Sequence, residues 1–180
     1  DNTVQATIRT TGGAEKKFSW NLRAILAPKA EKAPVIDGDL SDWNAQAKEI
    51  PLALRTKLKP WTTAEDAIRA NARIMWDDAH LYLGVTVFKR DNVESPVGVS
   101  GLWKGDGIQF AFDPVRNALK EVKDYQDDDF EYASALVSGK PVIFRTKASA
   151  ATYDSLEKEI GLLRDVPTAI RRYPDRTVYE

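Results

Sequence analysis

Ile68-Arg-Ala-Asn-Ala-Arg-Ile-Met-Trp-Asp-Asp-Ala-His-Leu-Tyr-Leu-Gly-Val-Thr-Val-Phe88 is the stretch on which the fold turns. Ile68, Ala70, Ala72, Ile74 and Trp76 alternate with Arg69, Asn71, Arg73 and Met75, which predicts a half-buried strand with a polar outer face. Asp77-Asp78-Ala79-His80 reads as a turn. Leu81, Leu83, Val85 and Val87 then line one face and Tyr82, Thr86 and Phe88 the other, as in a central strand covered on both sides. The two runs make a hairpin. Outward from it, residues 106–113 put Ile108, Phe110 and Phe112 inward and Gly107, Gln109 and Ala111 on the opposite face. Further strands are expected at 129–137, 141–146, 168–173 and 176–180. Near the start, Val4, Ala6, Ile8 and Phe18, Trp20, Leu22, Ala24, Leu26 flank Thr11-Gly12-Gly13-Ala14-Glu15-Lys16, which predicts a second hairpin. In 153–164, Leu156, Ile160 and Leu163 fall at helical spacing behind Asp154 or Ser155, so one short helix is expected. Many short strands with at most one helix predict an all-β chain, an antiparallel β-sandwich of jelly-roll type.

Composition narrows the function. The chain has 26 Lys+Arg against 27 Asp+Glu, a formal charge of -1, so it lacks the cation excess that would replace counterions along nucleic acid. No stretch approaches the roughly 20 apolar residues that cross a bilayer, so membrane insertion is not expected. With no Cys and one His, His80, thiolate nucleophiles and two-imidazole metal sites are excluded. His80 lies beside Asp77 and Asp78, but Gly98-Val-Ser-Gly101 is not a G-x-S-x-G elbow, and His80 reads as a turn residue. Phosphate-cradling glycine loops are absent. No catalytic constellation stands out, and a non-enzyme is expected.

Two acidic clusters offer the hard oxygen ligands calcium takes: Asp37-Gly-Asp39-Leu-Ser-Asp42, and Asp124 followed by Asp127-Asp128-Asp129 and Glu131. Neither has EF-hand spacing. Of five tryptophans, Trp20, Trp43 and Trp76 read as core, whereas Trp61 and Trp103 sit in connections rich in Gly, Pro, Thr and Lys. An indole in such a loop can stack on the apolar face of a pyranose while neighbouring amides and carboxylates bond the hydroxyls. Trp103 and Trp61, with Gln109 and Asp106, are therefore the candidate ligand-binding residues.

Four blocks in order carry a resemblance: Pro34-Val-Ile-Asp-Gly-Asp-Leu-Ser-Asp-Trp43, Ala72-Arg-Ile-Met-Trp-Asp-Asp-Ala-His-Leu-Tyr-Leu83, Trp103-Lys-Gly-Asp-Gly-Ile-Gln-Phe-Ala-Phe-Asp-Pro114 and Tyr125-Gln-Asp-Asp-Asp-Phe-Glu131. From about Pro34 to Glu180 the chain resembles family 9 carbohydrate-binding modules. The resemblance implies a non-catalytic β-sandwich that docks on a polysaccharide or oligosaccharide, and a place beside neighbouring domains in a larger protein that is secreted, extracellular or periplasmic. By it Trp103 matches one of two tryptophans that clamp the sugar, and Gln109 a polar sugar contact. The family also holds structural calcium, and Asp91, Asp127, Asp128 and Asp129 match regions that look like metal or loop-fixing sites. Ala133 stands where the type member places an arginine, and the second clamp tryptophan belongs to strands beyond Arg176-Thr-Val-Tyr-Glu180, so a module truncated at its C-terminal end is expected. Residues 1–30 are expected to be the hairpin and linker of a preceding domain and 31–180 the module, with Ala27–Pro34 the linker candidate. The alternative is an interaction or structural sandwich that has lost sugar binding. An exposed Trp103 argues for the first, a covered one for the second.

Overall fold

The structure, a computed structural model, describes residues 3–9, 11–13, 15–21, 25–52, 69–89, 91–95, 98–115, 117, 125–148 and 160–180. Strands β1 (Thr3–Arg9) and β2 (Glu15–Asn21) form the N-terminal hairpin, with Val4 opposite Trp20 and Ala6 opposite Phe18. The predicted second run continues to Leu26, but β2 ends at Asn21; Leu22 to Ala24 lie outside the described residues.

The remaining strands are β3 (Ile50–Leu52), β4 (Arg69–Trp76), β5 (Leu81–Phe88), β6 (Gly107–Phe112), β7 (Phe130–Val137), β8 (Lys140–Lys147), β9 (Gly161–Leu163), β10 (Ile170–Arg172) and β11 (Thr177–Tyr179). They form two antiparallel sheets, β10-β11-β5-β4-β3 and β6-β7-β8-β9. The all-β sandwich expectation is met. Ile108 of one sheet packs on Ala72, Val85 and Tyr179 of the other. Two largely apolar clefts of about 340 and 320 Å³ lie between the sheets on either side of that contact.

Three expectations are corrected. Met75, assigned to a polar outer face, is 1% exposed and packs with Trp43 and Ala47, because the segment after Pro34 folds over that face of β4. Trp76, assigned to the core, is 39% exposed; its indole donates to the Ala27 carbonyl at 3.0 Å and lies beneath the Lys29 ammonium. The third concerns the helix over 153–164. Gly161–Leu163 is instead strand β9, paired with Ile143 to Arg145, and residues 153–159 lie outside the described residues. Leu163 satisfied a helical period in sequence, but a strand edge supplied its backbone partner.

The Pro34–Trp43 block is structural. Asp37, Asp39 and Asp42 accept backbone N–H groups from Asp39, Ser41 and Val35. Gly38 has φ +78, and a Cβ there would stand 2.6 Å from Arg171 Cβ, so glycine is required twice over. Gly84 on β5 leaves the space that the Leu40 methyls and the Trp43 ring occupy. Glu180 closes the unit: Oε1 accepts the Trp43 indole N–H at 2.7 Å, and Oε2 accepts Gly38 N–H at 2.8 Å and Asp37 N–H at 3.0 Å.

Candidate functional site

Trp103 sits in an irregular 3-10 segment, Gly98–Lys104, immediately before β6. Its neighbour Leu102 is buried on Ala133 and Ala135, which anchors the segment to the outer face of β7. The Ser95 hydroxyl donates to the Gly101 carbonyl at 2.6 Å, and Asp106 N–H donates to the Val93 carbonyl at 2.6 Å. Gly105 touches backbone: a Cβ there would lie 2.4 Å from Ser95 N and 2.6 Å from the Glu94 carbonyl carbon. The indole itself is 70% exposed. The loop is thus tied down at Leu102, Gly105 and Asp106 while its largest apolar side chain stays in water.

Beneath Trp103 lies a depression of about 200 Å³ lined by Leu102, Gly105, Gly107, Gln109, Ala133 and Ala135, among others. Gln109 is exposed, and its amide offers both donors and an acceptor. Antiparallel register sets Gln109 opposite Ala133, which is buried beneath Leu102. Asp106 is engaged elsewhere: one oxygen accepts Lys89 Nζ at 2.6 Å and the other Val93 N–H at 2.6 Å. The structure thus brings Trp103 and Gln109 together and places Asp106 under the loop. Trp61 lies outside the described residues.

The acids separate similarly. Asp91 and Asp127 are exposed and stand apart from the group in which Asp113, Asp128 and Asp129 bring carboxylate oxygens within 4.8 Å of one another. Asp128 accepts Asn117 Nδ2 at 3.0 Å and Asp129 accepts Gln126 N–H at 2.6 Å, but Asp128 Oδ2 and Asp129 Oδ1 are buried without a partner among the described residues. Asp129 is only 7% exposed. Carboxylates accept and never donate, so clustered acids with two buried orphan oxygens fit a hard divalent cation better than they fit one another. Asp113 escaped the sequence reading. It follows β6 by one residue, Asp129 precedes β7 by one, and the Phe112–Phe130 pairing makes them neighbours. The acids were legible; the register was not.

Two other groups are accounted for. Asp77 is held down at about 2, chiefly by the Tyr82 hydroxyl donating at 2.5 Å, with backbone N–H groups of Ala79 and His80 adding to it. His80 is exposed with Nδ1 3.5 Å from Asp77, the turn residue the sequence indicated. Tyr179 is pushed up to about 12 by burial in the core.

An all-β sandwich presenting a solvent-open indole beside an amide on an otherwise small-residue floor has the form of a binding module. The family model described as carbohydrate family 9 binding domain-like matches residues 36–159, and the chain belongs to that family. Comparison with curated proteins and with solved structures finds no match. Among the described residues, no helix is long and apolar enough to cross a membrane.

Proposed function

We propose that this chain is a non-catalytic carbohydrate-binding module that docks on plant-type polysaccharide through Trp103, within a larger secreted protein. The observation that carries the reading is the 70% exposed indole standing over the Gln109 depression on a loop anchored at Leu102 and Asp106. Stacking would come from Trp103 and hydroxyl recognition from Gln109, while Asp106 would keep the loop in place through Lys89 and Val93. The structural alternative predicts a covered indole and receives no support from its exposure.

Calcium belongs to the same proposal as a structural ion. Asp113, Asp128 and Asp129 would hold it, and it would fix the approach to β7 by bridging three carboxylates and offsetting most of their mutual repulsion. Isothermal titration with xylo- and cello-oligosaccharides, with Trp103→Ala as control, tests the sugar reading. Heat with at least one series, lost in the variant, is expected. No heat with any glycan refutes it.

A further inference from the structure

Trp103 takes its direction from a bend. Two 3-10 turns meet at Gly101, where φ -138 and ψ 35 break the helical run, and neighbouring side chains leave it in opposite directions. Leu102 goes inward onto Ala133 and Ala135, and Trp103 goes out into solvent. Ser95, itself buried, stands at that bend: its hydroxyl lies 2.6 Å from the Gly101 carbonyl oxygen and 3.3 Å from that of Gly98. Ser95 is fixed in turn by a segment that touches both sheets. Toward the five-stranded sheet, the buried Thr177 hydroxyl of β11 donates to Asn92 Oδ1 at 3.1 Å, and Arg172 of β10 donates to Glu94 Oε1 at 3.4 Å. Toward the four-stranded sheet, Glu94 Oε2 accepts the Gly139 N–H at 3.1 Å in the turn between β7 and β8. Val93 adds two hydrogen bonds with Asp106, its N–H to the side chain and its carbonyl from the N–H, each 2.6 Å.

We infer that Ser95 is the positioning residue of Trp103: its hydroxyl holds the Gly101 bend, so that the indole already stands over the Gln109 depression when a sugar arrives. The inference rests on the sugar reading of Trp103 and adds to it a residue that acts through the backbone rather than on the ligand. Geometry supplies the first argument. Gly101 is two residues before Trp103, and the orientation of its peptide decides which of Leu102 and Trp103 faces the sheet. Burial supplies the second. A hydroxyl taken out of water must find a partner, and both carbonyls within reach of this one belong to the Gly98–Lys104 segment. Affinity supplies the third. A ligand that had to immobilise a loose indole itself would bind roughly two- to tenfold more weakly, the entropic cost of ordering one large side chain. A bend held from within the protein removes that cost from the binding step.

Fluorine NMR of the full chain labelled with fluorotryptophan tests this without any sugar, the Trp103 line being assigned by its loss in Trp103→Phe. Ser95→Ala should move or broaden the Trp103 line and leave the other tryptophan lines in place. Titration with xylo- and cello-oligosaccharides, well below the unfolding midpoint of each form, should then show affinity about fivefold lower in Ser95→Ala. Ser95→Cys, close in size with a weak donor, should show both changes in lesser degree, and it carries the comparison if the Ala variant does not fold. A serine with a merely structural role would lower the unfolding midpoint while the Trp103 line and the affinity of the folded chain stayed as they were; that result overturns the inference. So do changes at the other tryptophan lines as large as that of Trp103, which mark a general loosening. Failure of the unsubstituted chain to bind any glycan overturns the sugar reading instead, and the fluorine comparison still decides whether Ser95 holds Trp103.

Discussion

Replacing Glu180 by Ala should destabilise the sandwich out of proportion to the size of the side chain. One carboxylate accepts three N–H groups, from Trp43, Gly38 and Asp37. Trp43 and Gly38 are buried, so loss of their acceptor leaves two donors that water reaches poorly, at about 1–2 kcal/mol each. Asp37 is exposed and its N–H rehydrates at little cost. The sum is about 2–4 kcal/mol, a large share of the roughly 5–15 kcal/mol by which domains are stable. For a chain of this length that lowers the thermal midpoint by roughly 5–15 °C. Glu180→Gln keeps one carbonyl oxygen and turns an NH₂ toward the other donors, so it should fall between Ala and the unsubstituted chain. Urea unfolding followed by tryptophan fluorescence measures the difference. A Trp43→Phe background, which lacks the indole N–H, should reduce the cost of Glu180→Ala by about 1 kcal/mol. A Glu180→Ala midpoint indistinguishable from the unsubstituted chain, or full additivity with Trp43→Phe, would refute the clamp.

Other consequences are open to measurement. Gly105→Ala drives a Cβ into the backbone of Glu94 and Ser95, so it should cost about 2 kcal/mol or more and weaken oligosaccharide binding together with stability, read by urea titration and calorimetry. Calcium should raise the thermal midpoint, and Asp129→Asn should diminish that rise; an unchanged midpoint with excess calcium counts against the site. Because folding depresses the Asp77 carboxyl to about 2, its stabilising share is fully present above its ordinary value near 4 and is lost as pH falls through about 2. Asp77→Asn should therefore flatten the acid limb of a stability–pH curve, and an unaltered limb argues against the Tyr82 hydrogen bond. Folding raises Tyr179 to about 12, so its share is complete below pH 10 and lost as pH rises through 12. A tyrosinate absorbance titration in the folded chain should show a late-ionising phase to which Tyr179 and Tyr125, the latter held up by its hydrogen bond to Glu131, both contribute, and Tyr179→Phe should shrink that phase without removing it.

The sequence alone determined where the longer strands of the two sheets lie, though not the three-residue strands β3 and β9. Period-two alternation placed β4, β5 and β6 within a residue of their ends, because a strand with unlike faces must write those faces into alternate positions. It also placed Trp103 in a loop and Gln109 across β6 from Ile108. Only the tertiary structure decided what lies over each face. Met75 is core because Trp43 and Ala47 fold onto it, and Trp76 keeps 39% of its surface in water with the Lys29 ammonium over its ring. Asp39 and Asp113 look alike in sequence, yet one caps a 3-10 turn and the other joins Asp128 and Asp129 across a strand pair. Alternation is a local property written along the chain, whereas burial, register and the partners of a carboxylate depend on segments far away in sequence.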